Sequence, residues 1–289
     1  MSHHEPIEAV QKKRHVSGVF DRAATTYDHV GPRFFSHFGR RLVELARIPS
    51  GSNVLDVATG RGALLYPAAE AVGPQGHVTG IDLSEIMVQE TTKELSRLNM
   101  PARVEVRQMD AEHLQFPDES FDYVLCGFAL FFFPQLDLAM SEFRRVLKPN
   151  GHICVTTWAR SDEWKWMKDI KERYLPPDPE EDQGLQPASK PVFDTPEGLE
   201  TILSAAGFRD IQIISEAGEF VYTTEEELWS SQWSHGGRET LEQIERAMGP
   251  EGLEKFKQDV FRKVAEIKKA DGLHASFPVL VGLGIKPRD

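Results

Sequence analysis

Residues Asn53-Val54-Leu55-Asp56-Val57-Ala58-Thr59-Gly60-Arg61-Gly62 constrain the fold more than any other stretch of this chain. They read as a short apolar strand that runs straight into a glycine turn. An acid, Asp82, closes a second strand twenty positions after Gly62 (82 − 62). A strand, a glycine turn and an acid at that distance form the pattern of a nucleotide-type cofactor site. The turn lets backbone approach the ligand, and the carboxylate accepts hydrogen bonds from two ribose hydroxyls.

The same rhythm continues to about residue 158. Strands are expected at 54–57, 78–82, 104–109, 121–126 and 153–158, and helices at 63–72, 85–98 and 136–147. Such alternation predicts an α/β, doubly wound sheet. Ahead of it, Phe35, Phe38, Leu42 and Leu45 repeat at helical spacing. Beyond it, the proline-rich stretch 176–182 predicts an exposed loop. Thr195-Pro196 then predicts a capped helix ended by Gly207. Two further strands, 211–222 and 277–286, enclose a helical insertion. In it Leu241, Ile244 and Met248 share one face, as do Phe256, Val260, Val264 and Ile267. The division expected is a helical cap (1–50), a core (51–222), a helical lid (223–273) and a final core strand (274–289).

Composition removes several function classes. The formal charge of −12 repels a phosphate backbone, so no nucleic-acid partner is expected. No apolar run approaches the roughly 20 residues that cross a bilayer, and the first residues lack a signal-peptide core. The two cysteines, Cys126 and Cys154, both fall in expected strands, which disfavours disulfides or a cysteine metal site and predicts a cytoplasmic protein without metal. The expected partner is a small-molecule substrate, and a homo-oligomer stays open.

The glycine series itself narrows the cofactor. Leu65 stands where a dinucleotide turn places its third glycine, which disfavours NAD, and no phosphate-gripping lysine follows. A further acid, Asp110, ends the third strand.

With these residues the chain resembles the class I S-adenosylmethionine-dependent methyltransferases, most of all the ubiquinone/menaquinone-biosynthesis type and its small-molecule relatives. The resemblance rests on 56–62 and on Gly80-Ile81-Asp82-Leu83-Ser84 followed by Met87. It extends to Asp110-Ala111-Glu112 with 116–122, and to Arg145-Val146-Leu147-Lys148-Pro149-Asn150-Gly151-His152, with weaker likeness at 19–28. It implies a Rossmann-like seven-stranded sheet whose last strand is antiparallel, S-adenosyl-L-methionine as cofactor and S-adenosyl-L-homocysteine as product. It also implies that Asp56, Ala58, Gly60 and Gly62 line the methionine half. Asp82 would hold the ribose, Leu83 and Met87 would pack on adenine, and Asp110 and Ala111 would meet its edge. Cys126 and Gly127 would border the sulfonium, and Tyr27 would close from the cap. Ala58 departs from the glycine many members carry. The segment after Tyr27-Asp28 lacks the His-Arg-x-Trp-Lys pattern of the quinone enzymes, which weakens the case for a quinone substrate.

Acceptors are expected at the carboxyl ends of the strands. Phe128, Phe131 and Trp158 lie there, and Trp229 and Trp233, one helical turn apart, sit in the expected lid. Each is equally consistent with plain core packing. Together they predict methyl transfer to oxygen or carbon of a small, largely apolar or aromatic metabolite. His235 is the leading candidate catalytic base, since His235-Gly236-Gly237 would break the lid helix. His29, also a candidate substrate contact, and His113 are the others. Two alternatives remain: the same fold binding the cofactor without methylating, and a nicotinamide oxidoreductase.

Overall fold

The computed structural model describes residues 5–175 and 191–288, so the expected loop at 176–182 lies outside the described residues. Seven strands form one sheet: β1 (Asn53–Val57), β2 (His77–Asp82), β3 (Arg103–Gln108), β4 (Phe121–Gly127), β5 (Leu147–Trp158), β6 (Arg209–Tyr222) and β7 (Leu273–Ile285). Their order is β3-β2-β1-β4-β5-β7-β6. The first five run parallel, and β7 is antiparallel to both of its neighbours. From β1 the chain fills one side of the sheet with β2 and β3, then crosses to β4 on the other. That reversal opens a crevice at the carboxyl ends of β1 and β4.

Val54 to Val57 are all buried, so β1 shows a continuous apolar run with one acid in place of alternation. The reason is cover on both faces. Helices α3 (Leu65–Val72) and α2 (Phe34–Ala46) pack on one face through Leu65, Val72 and Leu42. Helices α5 (Leu136–Val146) and α7 (Pro196–Ala205) pack on the other through Phe143, Leu199 and Leu203. The Thr195 hydroxyl caps α7 by accepting from the Gly198 N–H at 3.1 Å. Helix α4 (Glu85–Leu95) follows β2, with Ser84 as its cap.

Three elements depart from expectation. Helix α1 (Ile7–Ala23) precedes α2, and a short helix, α6 (Lys165–Lys171), occupies a stretch without clear periodicity. Strand β5 begins six residues earlier than expected (153 − 147), because Leu147 pairs with Phe121 before a bulge. The insertion between β6 and β7 contains α8 (Glu225–Trp233) and α9 (Gly237–Ile267). Helix α9 breaks at Gly249 (φ 73°), which turns Met248 outward to 50% exposure while Leu241 and Ile244 stay buried. Ile267, on the last turn, is also exposed.

Helix α2 lies directly on the glycine turn. A Cβ on Gly39 would stand 2.2 Å from the Ala63 carbonyl oxygen, and backbone cannot yield as a side chain does. Gly39→Ala is therefore expected to destabilise the protein by about 1–3 kcal/mol. Urea denaturation would show a lower midpoint with an unchanged slope; an unaltered midpoint would contradict this close packing.

Candidate active site

The crevice divides into two lobes that share Tyr27, Ala58, Gly60, Gly127 and Phe128. One lobe, of about 780 Å³ with its open mouth, is lined by Asp82, Leu83, Met87, Met109, Asp110 and Ala111. The other is lined by Asp56, Thr59, Arg61, Leu64 and Thr156. Most residues that the sequence pattern singles out thus meet in one place. Ala58 (φ 54°) and Phe128 (φ 55°) hold left-handed backbone at this junction, a conformation that costs a side-chain-bearing residue roughly 1 kcal/mol. A glycine at position 58 would adopt this backbone without that cost.

Two buried carboxylates dominate the electrostatics. Asp82 accepts from the Gly60 N–H and the Ser84 N–H, both at 2.8 Å. These bonds lock the turn against β2 and aim the remaining lone pairs at the lobe. Asp56 accepts from the Thr59 hydroxyl at 2.6 Å through Oδ2, while its Oδ1 is buried without a partner. Burial pushes Asp56 up to about 7, against the opposing Thr59 bond and with help from the Asp82 charge. Burial likewise pushes Asp82 up to about 6. A cationic ligand would relieve both. An adenosine sulfonium fits this arrangement: an acid for the ribose, an apolar slot between Leu83, Met87 and Met109, and a second acid with an unused oxygen.

Two residues implied to touch the cofactor do not line either lobe. Gly62 (φ 84°) instead lets the Tyr66 ring lie against the turn, since a Cβ there would stand 2.6 Å from that ring. Cys126 is fully buried in the sheet core, where desolvation holds its thiol protonated, so only Gly127 reaches the crevice. His29 lines the second lobe beside Arg33 and Glu94, and His113 is exposed.

No sequence pattern marks Lys13. From α1 its ammonium reaches Asp110 Oδ2 at 2.7 Å and Glu112 Oε2 at 2.5 Å, and it also pairs with Glu5. Burial alone would lower its pKa; these bonds outweigh it and raise it. Arg61 makes a second tie, donating to the Ala24 carbonyl at 2.6 Å and to Glu94 at 2.9 Å. The Ser84 hydroxyl makes a third, donating to Asp21. Helix α1 is thereby fastened over the adenosine lobe, where Val16 and Phe20 form part of the wall.

A third cavity, about 910 Å³ with its mouth, adjoins the crevice across Tyr27 and Phe128. It is an aromatic chamber: Phe34, Phe35, Phe131, Trp158, Trp164 and Phe277 are among its walls. Tyr27 stacks on Phe35 with centroids 5.0 Å apart, and Phe128 packs on Trp158 at 4.4 Å. His235 lies in this wall against Phe34 and Phe35. Of the two lid tryptophans, Trp229 lines an adjoining cavity with Leu228, Met167 and Phe256. Trp233 is in none of these walls and carries the Arg238 guanidinium over its ring.

A doubly wound sheet with an acid-bearing adenosine crevice and an attached aromatic chamber defines an enzyme that binds a nucleoside cofactor beside a small apolar acceptor. Comparison with known proteins gives the family. Residues 48–189 match the model described as "Methyltransferase domain". Aklanonic acid methyltransferase of a Streptomyces species is 39% identical over 50% of this chain and 66% of its own length. Nocamycin O-methyltransferase of Saccharothrix syringae is 34% identical over 78% of this chain and 84% of its own. Demethylmenaquinone methyltransferase of Listeria monocytogenes is 31% identical over 72% of this chain and 92% of its own. A solved Bacillus halodurans structure described as a methyltransferase shares the fold, with TM-score 0.55 and 21% identity over 86% of this chain and 98% of that one. The chain belongs to the S-adenosylmethionine-dependent methyltransferases.

When bound, S-adenosylmethionine supplies an activated methyl group on a cationic sulfur. This chain's residues have to align an acceptor with that methyl and keep water out. Tyr27 and Phe128 border both crevice lobes and the chamber. Among the described residues, no helix is long and apolar enough to cross a membrane.

Proposed function

We propose that the protein methylates an oxygen of a flat, aromatic small metabolite held in the chamber behind Phe128. The observation that carries this reading is the chamber itself: stacked and edge-on rings that open onto the cofactor crevice and offer surface for a planar ligand. Relatives named for aklanonic acid, nocamycin and demethylmenaquinone support it. In this reading residues 1–50 are a cap over the cofactor and 223–273 a lid over the acceptor. Phe128, Phe131 and Trp158 contact the acceptor directly, and Trp229 does so from the lid cavity.

Incubating the protein with methyl-labelled S-adenosylmethionine and a small-molecule extract should label a metabolite of aromatic character, identified by mass spectrometry. Absence of label in every fraction, or thermal stabilisation by NAD and not by S-adenosylmethionine, would sink the proposal.

A further inference from the structure

His235 is the natural candidate for a general base in the chamber, and its hydrogen bonding argues for the opposite role. The Gly237 backbone N–H donates to its Nδ1 at 3.0 Å. That bond uses the lone pair of Nδ1, so in the neutral ring the proton sits on Nε2. Nε2–H has no partner among the described residues, and the ring borders the chamber. The imidazole stays neutral because burial among the Phe34 and Phe35 rings lowers its pKa to about 4. The ring is half-buried, and His235 lines the cavity.

The other titratable groups in these walls cannot act as bases either. Burial pushes the Tyr222 phenol up to about 12, and burial with the Asp28 and Asp82 charges holds Tyr27 well above its ordinary value. Among the described lining residues there is no carboxylate, lysine or arginine. A second donor, the Trp164 indole N–H, is buried in the same wall with no acceptor. The chamber therefore offers hydrogen to a ligand and has no group placed to take one away.

We infer that His235 is a specificity-determining donor, whose Nε2–H binds an oxygen of the methyl acceptor, and that the acceptor is an oxygen acid already ionised at neutral pH, a carboxylate or an acidic enol. This rests on the proposed methyl transfer. In the step, an acceptor oxygen lone pair forms the O–CH₃ bond as the S–CH₃ bond breaks, and the bonding pair stays on sulfur. Anion and sulfonium are both neutralised, and no proton moves. His235 keeps its proton throughout and orients the anion. A carboxylate presents a second oxygen for this bond; an enolate of a 1,3-dicarbonyl presents its neighbouring carbonyl.

The labelled product from the extract experiment gives the first test. A methyl ester, cleaved by mild alkali, identifies the carboxylate case; a methyl enol ether, cleaved by mild acid, identifies the enol case. A methyl on carbon or on an ordinary phenol overturns the inference while leaving methyl transfer intact. No label at all overturns the parent reading. The second test uses that acceptor with His235→Gln and His235→Phe. Glutamine keeps an N–H donor and cannot serve as a base; phenylalanine keeps volume alone. Because a hydrogen bond to a charged group is worth about 10- to 150-fold, kcat/KM should fall at least about 10-fold in His235→Phe. It should stay within about fivefold of the parent in His235→Gln, with the affinity for S-adenosylmethionine unchanged in both. Equal losses in the two variants would overturn the donor role, and so would a loss that tracks weakened cofactor binding.

Discussion

Replacing Asp82 with alanine is expected to raise the Kd for S-adenosylmethionine at least about 100-fold, measured by isothermal titration. The carboxylate is positioned to accept two hydroxyl hydrogen bonds, each worth about 1.5–3 kcal/mol when the acceptor is charged. It also does structural work. Its Oδ2 receives the Gly60 N–H and its Oδ1 the Ser84 N–H, so alanine leaves two donors at the turn without their acceptor. The glycine turn then loses its tie to β2, and the lobe shared by Gly60 and Ala58 loses its shape. Asp82→Asn separates the two contributions: its one remaining acceptor oxygen can keep one backbone bond, and affinity should fall less than in the alanine variant. A Kd within threefold of the parent for Asp82→Ala would show that the ribose is held elsewhere.

The residues of this crevice were legible because the signals that reveal them are local. Asp56, Gly60 and Asp82 follow from a strand-turn pattern and a fixed spacing, and the resemblance supplied Leu83, Met87, Asp110 and Ala111; all but Asp56 line the adenosine lobe. The sheet was equally legible, since alternating strands and helices restrict the topology. What the sequence concealed depends on partners far along the chain. Lys13 meets Asp110 across 97 positions, and nothing in the amphipathic pattern of α1 distinguishes it from a solvated lysine. Cys126 was implied to face the sulfonium, but as a core residue of β4 it points into the sheet face packed by α5. Trp229 and Trp233 share a helical face and pack on the same apolar cluster, yet only Trp229 lines a cavity, while Trp233 carries Arg238 over its ring. The Gly237 N–H that donates to His235 Nδ1 is reported by no sequence pattern. The left-handed backbone at Phe128 is likewise reported by no sequence pattern.

The Lys13 clamp leads to the other large effect. Glu112 is fully buried, and the Lys13 ammonium is its cationic partner. Lys13→Met retains the packing of the stem and removes that cation, leaving a buried carboxylate dependent on the Gln135 backbone N–H at 2.7 Å and side-chain amide at 3.2 Å. Breaking a buried pair from one side costs roughly 3–5 kcal/mol, and the surviving Gln135 bonds place the expected loss near the lower end, about 3 kcal/mol. Denaturation by urea should show it as a lower midpoint. Cofactor affinity should fall as well, on the order of tenfold, because the same clamp holds Val16 and Phe20 against the adenosine lobe. The double variant Lys13→Met/Glu112→Gln no longer buries an unpaired charge, so it should regain most of the stability. It should not regain the affinity, since α1 still lacks its Lys13 tie and keeps only those through Arg61 and Ser84. Recovery of both would mean that the cap contributes nothing to cofactor binding beyond the stability of the fold. An unchanged midpoint in Lys13→Met would mean that the pair is not formed in solution.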